Sequence, residues 1–104
     1  MGKCVLIIHG GAVNTDPATI PPEKEKKLKQ GLKQALMAGY EILERGGVAL
    51  DAVEAAVKSM EDNPLFNAGR GGMFNINGEV ETEASIMDGA TLRGGAVSGL
   101  KLIK

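Results

Sequence analysis

Cys4-Val5-Leu6-Ile7-Ile8-His9-Gly10-Gly11-Ala12 lies near the start of the chain, and its reading decides the fold. Lys3 to His9 predicts a β-strand, because the run is apolar, rich in β-branched residues and closed by two glycines. The run from Cys4 to Ile8 does not alternate apolar with polar, as a strand with one wet face would. It therefore predicts a strand covered on both faces, in an α/β layer structure. Cys4, inside this run, is expected to be a buried thiol.

The rest of the chain limits what can provide that cover. At 104 residues, 43% hydrophobic and 24% charged, the chain has globular composition and room for one small domain or a piece of a larger one. No apolar stretch is long enough for a bilayer, and the five apolar residues after Lys3 are too few for a secretory leader. A single cysteine excludes an internal disulfide, and cytoplasmic localisation is expected. Twelve basic residues against thirteen acidic ones, with one Tyr, two Phe and no Trp, argue against a nucleic-acid surface.

Working outward, Val13 to Pro22 reads as a loop broken by Pro17, Pro21 and Pro22. Pro22 followed by Glu23 and Glu25 starts a helix that runs to about Arg45. Its apolar stripe is Leu28, Leu32, Ala35, Leu36, Gly39 and Leu43, and its lysines, interleaved with glutamates, form a solvated face. Gly46-Gly47 caps this helix, and a second follows from Ala49 to Glu61 with Leu50, Val53, Val57 and Met60 at helical spacing. Pro64 prevents continuation. The loop Pro64 to Gly72 carries Leu65 and Phe66, which predicts that it is held against a core. Asn77-Gly78 marks a turn, Val80 to Met87 a strand, Asp88-Gly89 another turn and Gly95 to Leu102 a returning strand.

The expected order is strand, helix, helix, strand, strand. Two helices shield one face of a small sheet and leave the other bare. The chain is accordingly expected either to associate sheet to sheet or to be part of a larger protein, and its last residues, Leu100 to Lys104, read as uncapped strand.

Few residues carry chemistry. There is one histidine, His9, and no phosphate loop or nucleophile elbow. Gly69-Arg70-Gly71 begins like a dinucleotide loop, but Phe74 occupies the last glycine position. Glu79, Glu81 and Glu83 alternate along a strand and are read as a solvated face. Two features stand out. His9-Gly10-Gly11 at a strand end allows backbone amides to approach a ligand, although an ordinary tight turn explains it equally. The Pro64 to Gly72 loop offers Asn67 and a glycine-rich backbone able to turn carbonyl oxygens toward a hard cation, or to serve only as a connection.

Taken together, Ile8 to Ala12, Pro21-Pro22-Glu23, Ala49 to Glu54, Asp62 to Gly71, Gly78 to Glu81, Glu83 to Gly89 and Gly95 to Leu100 resemble, in order, the N-terminal part of the plant-type asparaginases. These are isoaspartyl peptidase/L-asparaginases of the N-terminal-nucleophile hydrolase superfamily. The resemblance implies an αββα sandwich, present here in part, made as a precursor that cleaves itself into α and β subunits. It implies hydrolysis of L-asparagine and β-aspartyl peptides by a threonine freed at the start of the β subunit. Residues 1–104 would be the N-terminal segment of the α subunit, an incomplete domain. Thr15, Thr19, Thr82 and Thr91 follow Asn, Ala, Glu and Ala, never the Gly that precedes the family's nucleophile, so no catalytic residue is expected on this chain.

The resemblance assigns supporting roles instead. Asn67 matches the asparagine that positions the nucleophile, and His9, Gly10 and Gly11 match a loop associated with autoprocessing. Backbone carbonyls of Met60, Glu61, Asn63, Phe66, Ala68 and Arg70 would ring a structural sodium ion, with no organic cofactor. Val13, Gly72 and Glu83 depart from the residues usual in the family. The expected partners are the remainder of the α subunit and the β subunit, or a self-association partner, with a small-molecule substrate only in the completed enzyme. The alternatives are a non-enzymatic interaction module, a truncated partner of a full-length relative, or a stand-alone dimeric domain.

Overall fold

The structure, a computed structural model, describes residues 2–101. Two helices, α1 (Pro22–Glu44) and α2 (Ala49–Glu61), are followed by an antiparallel hairpin of β1 (Glu81–Asp88) and β2 (Arg93–Lys101). Short 3-10 turns occupy Pro17–Thr19 and Gly69–Gly71. Leu102 and Ile103, expected to end the returning strand, lie outside the described residues. No helix among the described residues is long and apolar enough to cross a membrane.

Helix α1 starts and stops where local chemistry requires. Pro22 stands in its first turn, where a missing N–H costs nothing, and Glu23 and Glu25 lie at the positive end of the helix dipole. At the other end Gly46 adopts φ +80, its N–H bonds to Leu43 O at 3.0 Å, and Gly47 N–H bonds to Ile42 O at 2.8 Å. This is the paired-bond Schellman cap that a left-handed glycine permits. α2 ends at Asp62, just before Pro64.

The helices pack through their smallest residues. Gly31, Ala35 and Gly39 are buried on α1 and Ala52 and Ala56 on α2, each set spaced four apart along one ridge. A methyl group at Gly39 would lie 2.7 Å from Ala52 O, so the backbones are in near contact. The apolar stripe of α1 faces inward as expected. That of α2 does so only in part: Leu50 and Met60 are half-buried, but Ala52 and Ala56 are the buried residues, while Val53 and Val57 are 37% and 45% exposed. Small side chains let the helices approach, and this rotates the valines out of the interface.

The leading segment corrects the sequence reading. Lys3 to His9 is not a strand, and the described chain contains two strands rather than three. Among the described residues it has no neighbouring strand with which to form a ladder. It runs over the helix pair, with the Leu6 side chain against Gly39 and Gly10 against Leu32 and Phe66. Leu6, Ile8 and Gly10 are half-buried, whereas Val5 and Ile7 are 79% and 87% exposed. Cover thus reaches one side only, and Cys4 is exposed rather than buried.

In the hairpin, Asp88 pairs with Arg93 and Ser85 with Ala96, and the register shifts between Thr82 and Ala84. Ser98 and Gly99 there oppose the single residue Glu83, and Gly99 takes φ +65 to absorb the bulge. The hairpin touches α2 only lightly. Between them lies an open groove of about 780 Å³ lined by Val53, Val57, Ile86 and Val97.

Candidate functional site

Phe66 brings the two sequence features together. It is 5% exposed, and among the described residues the other buried apolar side chains are those of Ala35, Ala52 and Ala56. One edge of its ring meets Gly10, where a methyl group would lie 2.9 Å from Cε1. The other edge meets Gly31, where a methyl group would lie 3.0 Å from Cε2. The glycine turn and the loop carrying Asn67 therefore share one aromatic wedge. Leu65, its neighbour, is half-exposed at 37%.

At the turn, Gly11 takes φ +115 and donates its N–H to His9 Nδ1 at 3.0 Å. That nitrogen accepts, so the proton of the neutral imidazole sits on Nε2. On the loop, Asn67 is exposed, and its Oδ1 accepts the Met73 N–H at 3.0 Å. Only the oxygen can accept, which fixes the amide orientation and leaves the NH₂ group as donor.

The carbonyls between them follow a regular scheme. Met60 O accepts from Asn63 N, Asn63 O from Phe66 N, Phe66 O from Ala68 N and Ala68 O from Gly71 N, at 2.8–3.1 Å. Met60 O also accepts from Asp62 N, while Asn63 O, Phe66 O and Ala68 O each keep a second lone pair. Glu61 O lies 2.5 Å from where a methyl group on Gly69 would sit, and Gly69 takes φ +53. Phe66 O and Pro64 O crowd the corresponding position at Gly71, Pro64 O at 2.6 Å. Carbonyls of Glu61, Pro64 and Phe66 thus turn toward glycines that leave room for them. Asn63 Oδ1 accepts from Leu65 N at 3.0 Å and tightens the start of the loop. Arg70 stands 4.0 Å from Asp62 in an exposed pair.

The acidic strand edge is engaged by a cation of the chain itself. Lys101 Nζ lies 2.6 Å from Glu79 and 3.9 Å from Glu81. On α2, Glu54 holds Lys58 at 2.6 Å, and hydrogen bonding first, then charge attraction, raises the Lys58 pKa above its ordinary value.

The model of the asparaginase family matches residues 2–104. The chain belongs to the asparaginase family. Among curated proteins it is 52% identical over 99 residues to an isoaspartyl peptidase/L-asparaginase of Danio rerio, covering 95% of this chain and 30% of that protein. It is 46% identical over 99 residues to an isoaspartyl peptidase/L-asparaginase of Homo sapiens, covering 95% and 31% respectively. It is 48% identical over 100 residues to a plant-type L-asparaginase of Thermococcus kodakarensis, covering 95% and 31%. The chain spans about 30% of the length of the curated relatives it matches.

Among the residues of this asparaginase-family chain singled out in the sequence, Gly10 meets the Asn67 loop through Phe66, and His9 and Gly11 flank it in the same turn. Two partners were not anticipated. Gly31 matters because it admits the Asn63 amide and the Phe66 ring, and its place one turn before Ala35 on the α1 stripe was the available signal. The Met73 amide orients Asn67 through a backbone contact that side-chain patterns do not reveal.

Proposed function

We propose that this chain supplies the leading portion of an isoaspartyl peptidase/L-asparaginase and supports a threonine nucleophile that it does not carry. The observation that carries the reading is the junction at Phe66, where the His9-Gly10-Gly11 turn and the Asn67 loop meet in a chain of the asparaginase family. Two of the four threonine hydroxyls are held in local hydrogen bonds, and a third threonine lies in the hairpin ladder. Thr19 Oγ1 donates to Asp16 O, Thr91 Oγ1 donates to Asp88 Oδ2, and Thr82 pairs within the hairpin. As internal residues, Thr15, Thr19, Thr82 and Thr91 have no free α-amino group to serve as base.

In the completed N-terminal-nucleophile enzyme, released by autoproteolysis, the incoming threonine hydroxyl attacks the side-chain carbonyl and gives its proton to the threonine α-amine. The amide C–N bond breaks, ammonia or an amine leaves with that proton, and water hydrolyses the acyl-enzyme. Asn67, its oxygen held by Met73, presents its NH₂ group to the attacking oxygen. The fold around it is the leading part of an αββα sandwich. With one exposed cysteine, the chain suits the reducing cytoplasm.

The loop after α2 fits a sodium ion by its donor chemistry. Carbonyls of Met60, Glu61, Asn63, Phe66, Ala68 and Arg70 are neutral hard oxygens, and Gly69 and Gly71 leave space where a Cβ would meet Glu61 O and Phe66 O. When bound, the ion would neutralise converging carbonyl dipoles and stiffen the loop that carries Asn67.

Mixing this chain with a polypeptide that carries the rest of the Danio rerio relative tests the reading. Hydrolysis of a β-aspartyl dipeptide is expected from the mixture and is expected to fall when Asn67→Ala is used. Activity indifferent to Asn67→Ala would remove the support role. The exposed Val5 and Ile7 also suit a second reading, in which the chain binds such a partner without catalysis.

A further inference from the structure

We propose that Asn77 is a self-modification site, at which the main-chain nitrogen of Gly78 displaces the side-chain ammonia and leaves an isoaspartyl linkage. The two residues lie in the turn between Phe74 and Val80, which pair in an isolated bridge. Asn75 holds this turn. Its N–H donates to Glu79 O at 2.7 Å, and its Oδ1 accepts from Asn77 N and Glu79 N, both at 2.9 Å. Asn77 itself is exposed, and none of the side-chain hydrogen bonds among the described residues uses its amide. The reaction needs a following nitrogen that no Cβ shields. Gly78 provides it, and nothing lies within 4 Å of the position a Cβ would take there.

The other candidates are blocked. Asn14 precedes the β-branched Thr15, and Asn63 precedes Pro64, which has no N–H to give up. Asn67 and Asn75 precede Ala68 and Ile76, and both hold their side-chain oxygens in hydrogen bonds. Asp88 precedes Gly89, but its two carboxylate oxygens accept from Ala90 N and Thr91 Oγ1.

The Gly78 N–H donates to Asn75 O at 3.0 Å, and this bond opens first, in an exposed turn where local opening costs little. The nitrogen then attacks Asn77 Cγ. The new N–C bond forms, the bond to the side-chain nitrogen breaks, and ammonia leaves with the proton that Gly78 gave up. Water opens the five-membered imide. Opening at the Asn77 main-chain carbonyl gives isoaspartate, with the chain rerouted through Cβ and Cγ, and opening at Cγ gives aspartate. The isoaspartyl product lengthens the main chain between Asn75 and Glu79. It also adds a carboxylate beside Glu79, which holds Lys101 Nζ at 2.6 Å. Added length strains the Asn75–Glu79 bonds and loosens the turn that leads into β1.

Incubation of the 104-residue chain in neutral buffer tests this, with peptide mapping by mass spectrometry and fragmentation that separates isoaspartate from aspartate. Asn77 is expected to lose its amide ahead of Asn14, Asn63, Asn67 and Asn75, with isoaspartate and aspartate both formed. Asn77→Gln is expected to abolish the product at this position, because the longer side chain closes a less favourable six-membered ring, and to leave the helical circular dichroism unchanged. An Asn77 amide that persists throughout, or outlasts any other asparagine amide, overturns the proposal. Aspartate alone at position 77 also overturns it, because direct hydrolysis without the ring gives no isoaspartate.

Discussion

Gly10 rests on the ring of Phe66, with space for no more than a hydrogen: a methyl group at Gly10 would lie 2.9 Å from Cε1 and 3.0 Å from Leu32 Cδ2. This contact ties the leading segment to the loop after α2 and places His9 and Asn67 on one structure.

Gly10→Ala is therefore expected to destabilise the chain by about 1–3 kcal/mol through overpacking. Urea denaturation followed by helical circular dichroism measures it. An unchanged midpoint would mean that the turn is not seated on Phe66.

Gly39→Ala sets two effects against each other. Helix propensity alone favours alanine by about 1 kcal/mol. The new methyl would meet the Ala52 carbonyl at 2.7 Å, and backbone yields less readily than a side-chain tip. The overpacking cost, about 1–3 kcal/mol, is expected to prevail and lower the denaturation midpoint. A raised midpoint would show that the helices are farther apart than described here.

Much of this local structure was legible in the sequence because it depends on neighbours in the chain. Pro22 and the acidic first turn start α1, Gly46-Gly47 closes it, and Asn77-Gly78 with Asp88-Gly89 marks the turns before and within the hairpin. The errors arose where the answer depends on distant contacts. Cys4 to Ile8 has strand composition, but a strand needs a ladder partner, and no residue described here supplies one. Val53 and Val57 have core spacing, yet Ala52 and Ala56 set the close helix approach. Asn67 could be singled out by type and resemblance. Its orientation depends on the Met73 amide, which no side-chain pattern encodes.

Asn67→Ala removes both the acceptor for Met73 N–H and the donor offered to the nucleophile. In a reconstituted enzyme, loss of positioning is expected to lower kcat by about 10²-fold with a smaller change in KM. Steady-state kinetics on a β-aspartyl dipeptide measure this. A change confined to KM would assign Asn67 to substrate binding instead.

Lys58 lies on the exposed face of α2, in the last turn before the loop that carries Asn67. Its pKa is raised by Glu54, so the stabilisation that accompanies this shift is fully present below the ordinary value of 10.5 and is lost as pH rises through the raised value. Stability from this pair is thus expected to be flat across neutral pH. NMR titration should show the Lys58 pKa falling toward 10.5 in Glu54→Gln. An unmoved value would mean that the pair is not formed in solution.

The most direct measurement is ammonia release from L-asparagine by the purified 104-residue chain with nothing added. None above the uncatalysed rate is expected, because no threonine of the chain carries a free α-amine. Sustained turnover by the chain alone, abolished by replacing Thr15, Thr19, Thr82 or Thr91, would place the nucleophile within these residues and contradict the account.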